Sequence, residues 1–383
     1  MRMIRRSTHA GRLERYLGTE SVEALSRAMR DWYGPPILVD NVPGRGGVYA
    51  RKGGDFVGRI DGGFYGNLWE HTGHRAKRLL RKLAKHPSAV GADGRLHAHA
   101  GFSSLSDLIS EATAGGKNRD FPFQKAGTTG VVAATNSLWR VGNQPVAGAA
   151  AASAPGGTVP TSATTGAFPF TDPTGGDTQH FVNANVLASV GGNTLLIYDR
   201  LFAVAKTMNS TGTEAVSGTA TRWHSSTPGN SQYAAGNFLF VECGTALAAT
   251  AHNWTTCLYT DQDGNTGATL PSLTGNSSNI INRLDHPTSQ WFAPLASGDT
   301  GILDLTQMQC SALVATGAVD FVIGHPLCFV PCPLANYLSI IDGINSAFNL
   351  HRIVDGACLA LLEVCKSATG ATTYAGTFKT VAG

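Results

Sequence analysis

The chain has 383 residues, enough for one large or two ordinary domains, and 42 % of them are hydrophobic, enough to bury a core. Charged residues make up only 14 %, against about 25 % in an average soluble domain, and there are 46 glycines. This composition excludes a chain disordered along most of its length, and the absence of any run of about 18 apolar residues excludes a transmembrane helix.

The net charge of +3 conceals an asymmetry. Residues 1–140 carry 22 Lys and Arg against 12 Asp and Glu, and residues 141–383 carry 7 against 14. A basic amino-terminal third on an acidic body implies two environments, the first facing nucleic acid, an acidic protein surface or simply solvent. The start, MRMIRRSTHAGRLERYLG, has basic residues without an apolar stretch after them, so no signal peptide is expected. The 7 cysteines all lie between Cys243 and Cys365 and are expected as free thiols of a reducing compartment. The N-x-S/T sites at Asn209, Asn253 and Asn276 then have no role as glycosylation acceptors.

In chain order, residues 21–33 place Val22, Leu25, Met29 and Trp32 at helical spacing, and Gly34-Pro35-Pro36 ends that helix. Residues 37–66 alternate short apolar pieces with glycine pairs and read as an extended arm. Its hairpin has Val48–Ala50 and Phe56–Ile60 as arms. Residues 67–86 carry the strongest helical signal. Ala76, Leu79, Leu80 and Leu83 mark one face, and Arg75, Lys77, Arg78, Arg81, Lys82 and Lys85 cover the rest. Such a helix suits contact with an acidic partner protein, with phosphates or with a membrane surface, or stands as a solvated face, but no interleaved aromatics support base stacking. A further helix is predicted within residues 101–116. Ser104 and Asp107 cap it, and Leu105, Leu108, Ile109 and Ala112 form its stripe.

Residues 144–176 are an Ala/Thr/Gly/Pro-rich segment that reads as a linker or long loop. Beyond it the pattern is β. Phe181–Val190 and Thr194–Ala205 read as a hairpin around Gly191-Gly192-Asn193, and the return strand is apolar on both faces, which requires cover on both. Further strands are predicted at Val216–Trp223, Phe238–Glu242, Trp254–Thr260, Ile302–Ala312, Val319–Val330, Leu359–Lys366 and Thr373–Val381, and Leu334–Val354 is ambiguous, with room for a short helix within a crossover. The expected organisation is a basic attachment region over 1–143, a linker over 144–177 and a β-sandwich over 178–383. The fold class is mainly β with an α-helical and extended amino-terminal part, its body a jelly-roll-like sandwich.

No nucleophile elbow, Walker loop, zincin helix or dinucleotide fingerprint is present. His325, Cys328 and Cys332 sit at ligand-like spacing, yet GHPLCFVPC is apolar and lacks a fourth ligand, so core thiols are the better reading. Asp261, Asp263 and Asn265 alternate like a calcium loop, but the glycine is misplaced and no acid closes the loop. A turn at Asp263-Gly264 is expected there. His97 and His99 share one side of an extended segment without a carboxylate nearby and read as surface residues. Asp199, Asp304 and Asp320 lie inside predicted strands, and a glycan-cleaving enzyme would need two such acids about 5–10 Å apart in a cleft. Trp223, Trp254 and Trp291 would serve a carbohydrate-binding surface if exposed, although Trp is mostly buried.

The basic helical amino-terminal part, the Gly-rich arm and the Thr/Gly/Ala-rich β body, with pieces such as NTLLIYDR at Asn193–Arg200, DTGILDLTQMQCSA at Asp299–Ala312 and the final TYAGTFKTVAG, resemble tailed-bacteriophage virion structural proteins. The resemblance implies a non-enzymatic role in the particle, as shell, decoration, connector or fibre, in a protein made in the host cytoplasm and housed in the virion. It implies homo-oligomeric contacts and contacts with other virion proteins, non-specific contact of the basic part with packaged DNA, no membrane and no cofactor. The order arm, hairpin, helix over residues 1–86 also matches the HK97-like α+β shell fold common to tailed phages. That fold stands as the alternative to the jelly roll, because further helices would be expected after residue 86. A host-binding adhesin or carbohydrate-binding module of the particle is the alternative function.

Overall fold

The computed structural model describes residues 37–41, 48–52, 55–59, 102, 105–113, 117–174, 177–228, 230, 233–343, 350–365 and 371–383. Two compact units divide between Ser103 and Ser104. In the first, β1 (Ile37–Asn41), β2 (Val48–Lys52) and β3 (Asp55–Arg59) form an antiparallel sheet in that order. The expected hairpin is there as β2–β3, with Lys52 opposite Asp55 and a register slip after Ala50. The helices expected at 21–33 and 67–86 lie outside the described residues.

The second unit is built of antiparallel sheets. One has β17 (Leu338–Asp342), β7 (Gln179–Ala188), β20 (Tyr374–Ala382), β4 (Asn118–Lys125) and β6 (Asn143–Gln144) in that order, with β18 (Arg352–Ile353) also on β7. A second runs β10 (Phe238–Thr245), β16 (Ala318–Cys332), β8 (Asn193–Thr207), β19 (Leu359–Val364), β5 (Thr135–Ser137). A third runs β13 (Thr266–Thr269), β12 (Leu258–Asp261), β15 (Ile302–Met308), β9 (Glu214–Ala215), and β11 (Asn253–Trp254) pairs with β14 (Leu273–Thr274). The mainly β expectation holds, and the packing of these sheets is compatible with a β-sandwich.

The expected hairpin around Gly191-Gly192-Asn193 is corrected. β7 and β8 do not pair with each other. β7 joins β17 and β20, whereas β8 joins β16 and β19. The turn, with Gly192 at φ 82°, carries the chain from one sheet to the other. The reason lies in the apolar content of β8, since a strand greasy on both faces needs a layer against each.

β8 and β16, 15 residues each, are the spine. Leu195 and Ile197 pack with Phe181, Val186 and Phe378 between the first two sheets. Further on, Phe202 and Val204 pack with Tyr259, Ile302 and Leu305 against the third sheet. Both sets share one face only because the register slips: Phe202 opposes Ile323 and Arg200 opposes Gly324, so Leu201 is an extra residue. Leu327 is the matching extra residue on β16. A bulge shifts the pleat by one residue, so even-numbered side chains take over the face that odd-numbered ones held. The opposite face stays continuous through Leu196, Tyr198 and Ala203, packed with Trp139, Ala167, Phe240 and Leu284.

Several expected boundaries shift. The predicted helix runs Leu105–Thr113, but Ile109 of its expected stripe is exposed while Leu108 is buried. Residues 118–125 form a buried-face strand against β20, so the β body begins before the expected boundary at 143/144. Residues 144–174 are not a free linker. Ala167, Phe168 and Phe170 are buried, Thr158 bridges to Ala203 and Ser153 to Ala205. Val216–Trp223 is an irregular segment beyond β9, not a strand, and Trp254–Thr260 is split into β11 and β12.

Candidate assembly surface

Of the described surface, the edge strand β17 departs furthest from what folding alone requires. In the strand Leu-Ser-Ile-Ile-Asp, Ser339 is buried while Leu338 and Ile340 are 49 % and 56 % exposed. An ordinary half-buried strand has the opposite pattern. Leu338 lies directly opposite Leu187 of β7, itself 37 % exposed, and the approach to the strand adds Leu334 and Tyr337, each 60 % exposed. β7 takes one edge of β17, and among the described residues no strand takes the other. Soluble proteins protect such an edge with Lys, Pro or a bulge. Leu338–Ile341 carries neither Lys nor Pro, and its pairing with β7 is unbroken. At roughly 100 Å² for each of the five side chains, the apolar surface is ~500 Å², near the upper end of what a monomer displays.

The acidic, histidine, cysteine and tryptophan side chains of the second unit that could carry chemistry are held elsewhere and apart. Asp199 accepts Arg222 Nε and Nη2 at 3.0 and 2.8 Å and the Cys358 amide at 2.9 Å. Asp304 pairs with His224 at 2.7 Å. Asp320 pairs with Arg140 and lies 3.9 Å from Arg200. Asp320 opposes Ala205 on β8, six residues along the strand from Asp199, which is roughly 20 Å. The acid that does stand beside Asp320 is Glu242, its cross-strand partner. Arg200 donates to Glu242 Oε1 and Oε2 at 2.6 and 3.3 Å, and the Arg200 guanidinium lies 4.9 Å from the Trp139 ring centre. Although burial opposes it, the Arg200 charge holds the Glu242 carboxyl below its usual pKa, whereas burial and the Glu242 charge raise that of Asp320. Both acids are buried beneath the Trp139 layer. Sequence reasoning did not find this pair, because only the register brings positions 78 residues apart together.

His325, Cys328 and Cys332, whose spacing resembles a ligand set, have other neighbours. His325 stacks on Trp223 with ring centres 3.9 Å apart, and its Nδ1 donates to Asn237 Oδ1 at 2.7 Å. Burial pushes the Cys328 and Cys332 thiols up to about 12 and about 11, so both stay protonated. Among the described residues no group of three metal-binding side chains occurs. Asp261 caps the expected hairpin turn: its Oδ1 accepts the amides of Asp263 and Asn265 at 2.8 and 2.9 Å, and Gly264 takes φ 87°. Trp223 and Trp254 are buried, and Trp291 packs against Phe329, so the first two offer no stacking surface for sugars. Arg75, Lys77, Arg78, Arg81, Lys82 and Lys85 lie outside the described residues, as do His97 and His99. Among the described residues no helix is long and apolar enough to cross a membrane.

No family model matches this sequence, and no curated protein matches it. Among solved structures, it is similar to the infectious bursal disease virus VP2 subviral particle. Identity is 11 % over 69 % of this chain and 80 % of that one, with a TM-score of 0.15. The T=1 particles derived from the same virus give 10 % identity over 69 % and 77 %, also at 0.15. Scores this low carry no argument about fold or role.

Proposed function

We propose that the chain is a structural, non-enzymatic subunit of a virus particle, a tailed-bacteriophage capsid or capsid-associated protein with a jelly-roll-like β body. The observation that carries this reading is the inverted edge strand, with Leu187, Leu334, Tyr337, Leu338 and Ile340 in water and Ser339 inside. A charge content of 14 % points the same way, because surface that is covered in an assembly needs few charges. The sequence resemblance supplies the virion context. In this reading β17 and β7 make homotypic contacts, and the basic residues Arg75, Lys77, Arg78, Arg81, Lys82 and Lys85 contact other virion proteins or packaged DNA. The test is the mass of the purified chain by size exclusion with light scattering over a concentration series. A defined oligomer or closed particle supports the reading. A monomer at every concentration, even with its natural particle proteins added, removes it.

A further inference from the structure

The loop 276–290, with Val131–Thr135 opposite, encloses a cavity of about 210 Å³ on the side of the second unit that β5 edges. The wall has a definite chemistry. Ser277, Ser278, Thr288 and Gln290 supply hydroxyl and amide groups, while Val131, Leu284 and Pro287 supply apolar surface. The Asn276 and Asn279 amides hold the wall itself, donating to the Leu284 and His286 carbonyls and to Asp285. Arg283 is the only charged residue in the lining. Its Nη2 donates to the Thr129 carbonyl at 3.2 Å, and no carboxylate pairs with it among the described residues. Asp285 is near in sequence but is fully engaged behind the wall. His252 Nε2, Trp254 Nε1 and the Asn276 amide lie 2.8, 2.9 and 2.7 Å from its oxygens. His286 also lines the cavity, and it is neutral there, since burial drives its pKa down to about 4. Its Nε2 accepts the Val241 amide at 2.9 Å, which leaves Nδ1 as the protonated nitrogen.

Two further observations mark the place as built for something. Thr135 Oγ1 and Arg283 Nε are buried without a protein partner, in a class of atom that is nearly always satisfied in a folded chain. Ser278, Asn282 and Ser289 hold positive φ of 55°, 71° and 69° within a dozen residues of loop, and strain of this kind gathers where a loop is shaped around a site. From this lining we infer a binding pocket for a small carboxylate-bearing polyol, an acidic monosaccharide. Hydroxyls and amides match the ring hydroxyls, the apolar wall matches the C–H face of a sugar ring, and an unpaired guanidinium matches a carboxylate. The volume suits one sugar ring, below the range that encloses larger ligands.

The experiment is calorimetric titration of the full chain with sodium glucuronate, with glucose and with sodium sulfate. Glucuronate is expected to bind saturably, and glucose at least about tenfold more weakly, since a hydrogen-bonded charge contact is worth that much. Arg283→Gln should weaken glucuronate to the level of glucose. Thr288→Trp, which fills the cavity from an exposed position, should abolish both. Absence of saturable glucuronate binding overturns the inference. So does equal affinity for sulfate, which marks a bare anion site, and so does binding that Thr288→Trp leaves unchanged. This test reads a pocket apart from β17, so its failure leaves the assembly reading standing and the reverse also holds.

Discussion

Replacing Ile340 by Lys tests the assembly surface where it is most exposed. In the single chain Ile340 is 56 % exposed at the outer face of β17. The substitution therefore costs the fold little, within about 0.5 kcal/mol by the rule for surface positions. In a two-fold contact between copies the same position is met twice. Each copy would remove roughly 100 Å² of Ile340 from water, together worth about 5 kcal/mol at ~25 cal/mol per Å². Two ammonium groups brought face to face subtract more. The expected outcome is a loss of at least about a thousandfold in association, with an unchanged urea midpoint for the body. Light scattering reads the mass and urea unfolding reads the fold. An Ile340→Lys chain with the mass of the parent at equal concentration, and the same midpoint, refutes the argument that this edge carries the contact. Lys at Ser339 is the contrast, since that side chain points inward and the fold itself should fail.

Arg222→Met leaves Asp199 a buried carboxylate without its cation, while Pro160 and Arg200 lose a donor to their carbonyls. A loss of about 3–5 kcal/mol in urea unfolding is expected, and a loss under about 1 kcal/mol shows that the pair is dispensable. Burial drives His325 down to about 3 and His286 down to about 4, so below about pH 6.5 the unfolded chain takes up protons that the folded chain refuses. Each site should cost stability on the order of 3 kcal/mol by about pH 4, and His325→Gln should flatten the acid limb of stability against pH. An unchanged slope contradicts the assignment. His351, whose ring lies 5.9 Å from His325, is also held down by burial and contributes in the same direction. His252 acts oppositely: burial disfavours its charge, but the bond to Asp285 prevails and raises its pKa. Its stabilising share is complete below about pH 6.5 and is lost as pH rises through the folded value, so His252→Gln should flatten the alkaline limb. Gly148→Ala puts a Cβ into the Trp139 ring. The displaced indole should lower the melting temperature, and retention of the parental value shows that the Trp139 layer yields freely.

The strands that could be read in the sequence were those with long apolar runs. Phe238–Glu242 and Val319–Val330 fall within the strands observed, and Leu359–Lys366 and Thr373–Val381 overlap β19 and β20. β4 escaped notice because Pro122 interrupts it, yet Phe121 and Phe123 on either side are buried and the strand lies along β20. Proline is tolerated where its missing N–H faces away from the ladder. The turn at Gly191-Gly192 is legible in the sequence, but the ladder that β8 joins is not. Local turn chemistry says that the chain reverses, whereas the choice of ladder is made by distant strands that compete for each edge. The acid pair Glu242–Asp320 and the cavity around Arg283 were illegible for the same reason. Both are products of register between segments far apart in the chain. The inverted edge was written in Leu338-Ser339-Ile340 as plain alternation, but alternation alone does not say which face is wet.

The bulges at Leu201 and Leu327 tie these features together. Without them β8 and β16 would keep one phase, and Phe202 and Val204 would turn toward the Trp139 face, where Arg200, Glu242 and Asp320 must be shielded. The slip lets one ribbon serve two sheets on one side while a single layer of irregular chain seals the charges on the other. A network of this kind is strongly destabilising when any one member is removed, so the spine is a rigid unit with little freedom to rearrange. Adaptation is left to the periphery, to β17 at one end of its sheet and to the loop 276–290 beyond β5. If the body joins a particle, its contacts are therefore made by exposed edges on a fixed centre, and substitutions in the spine should alter the yield of folded protein before they alter the geometry of assembly.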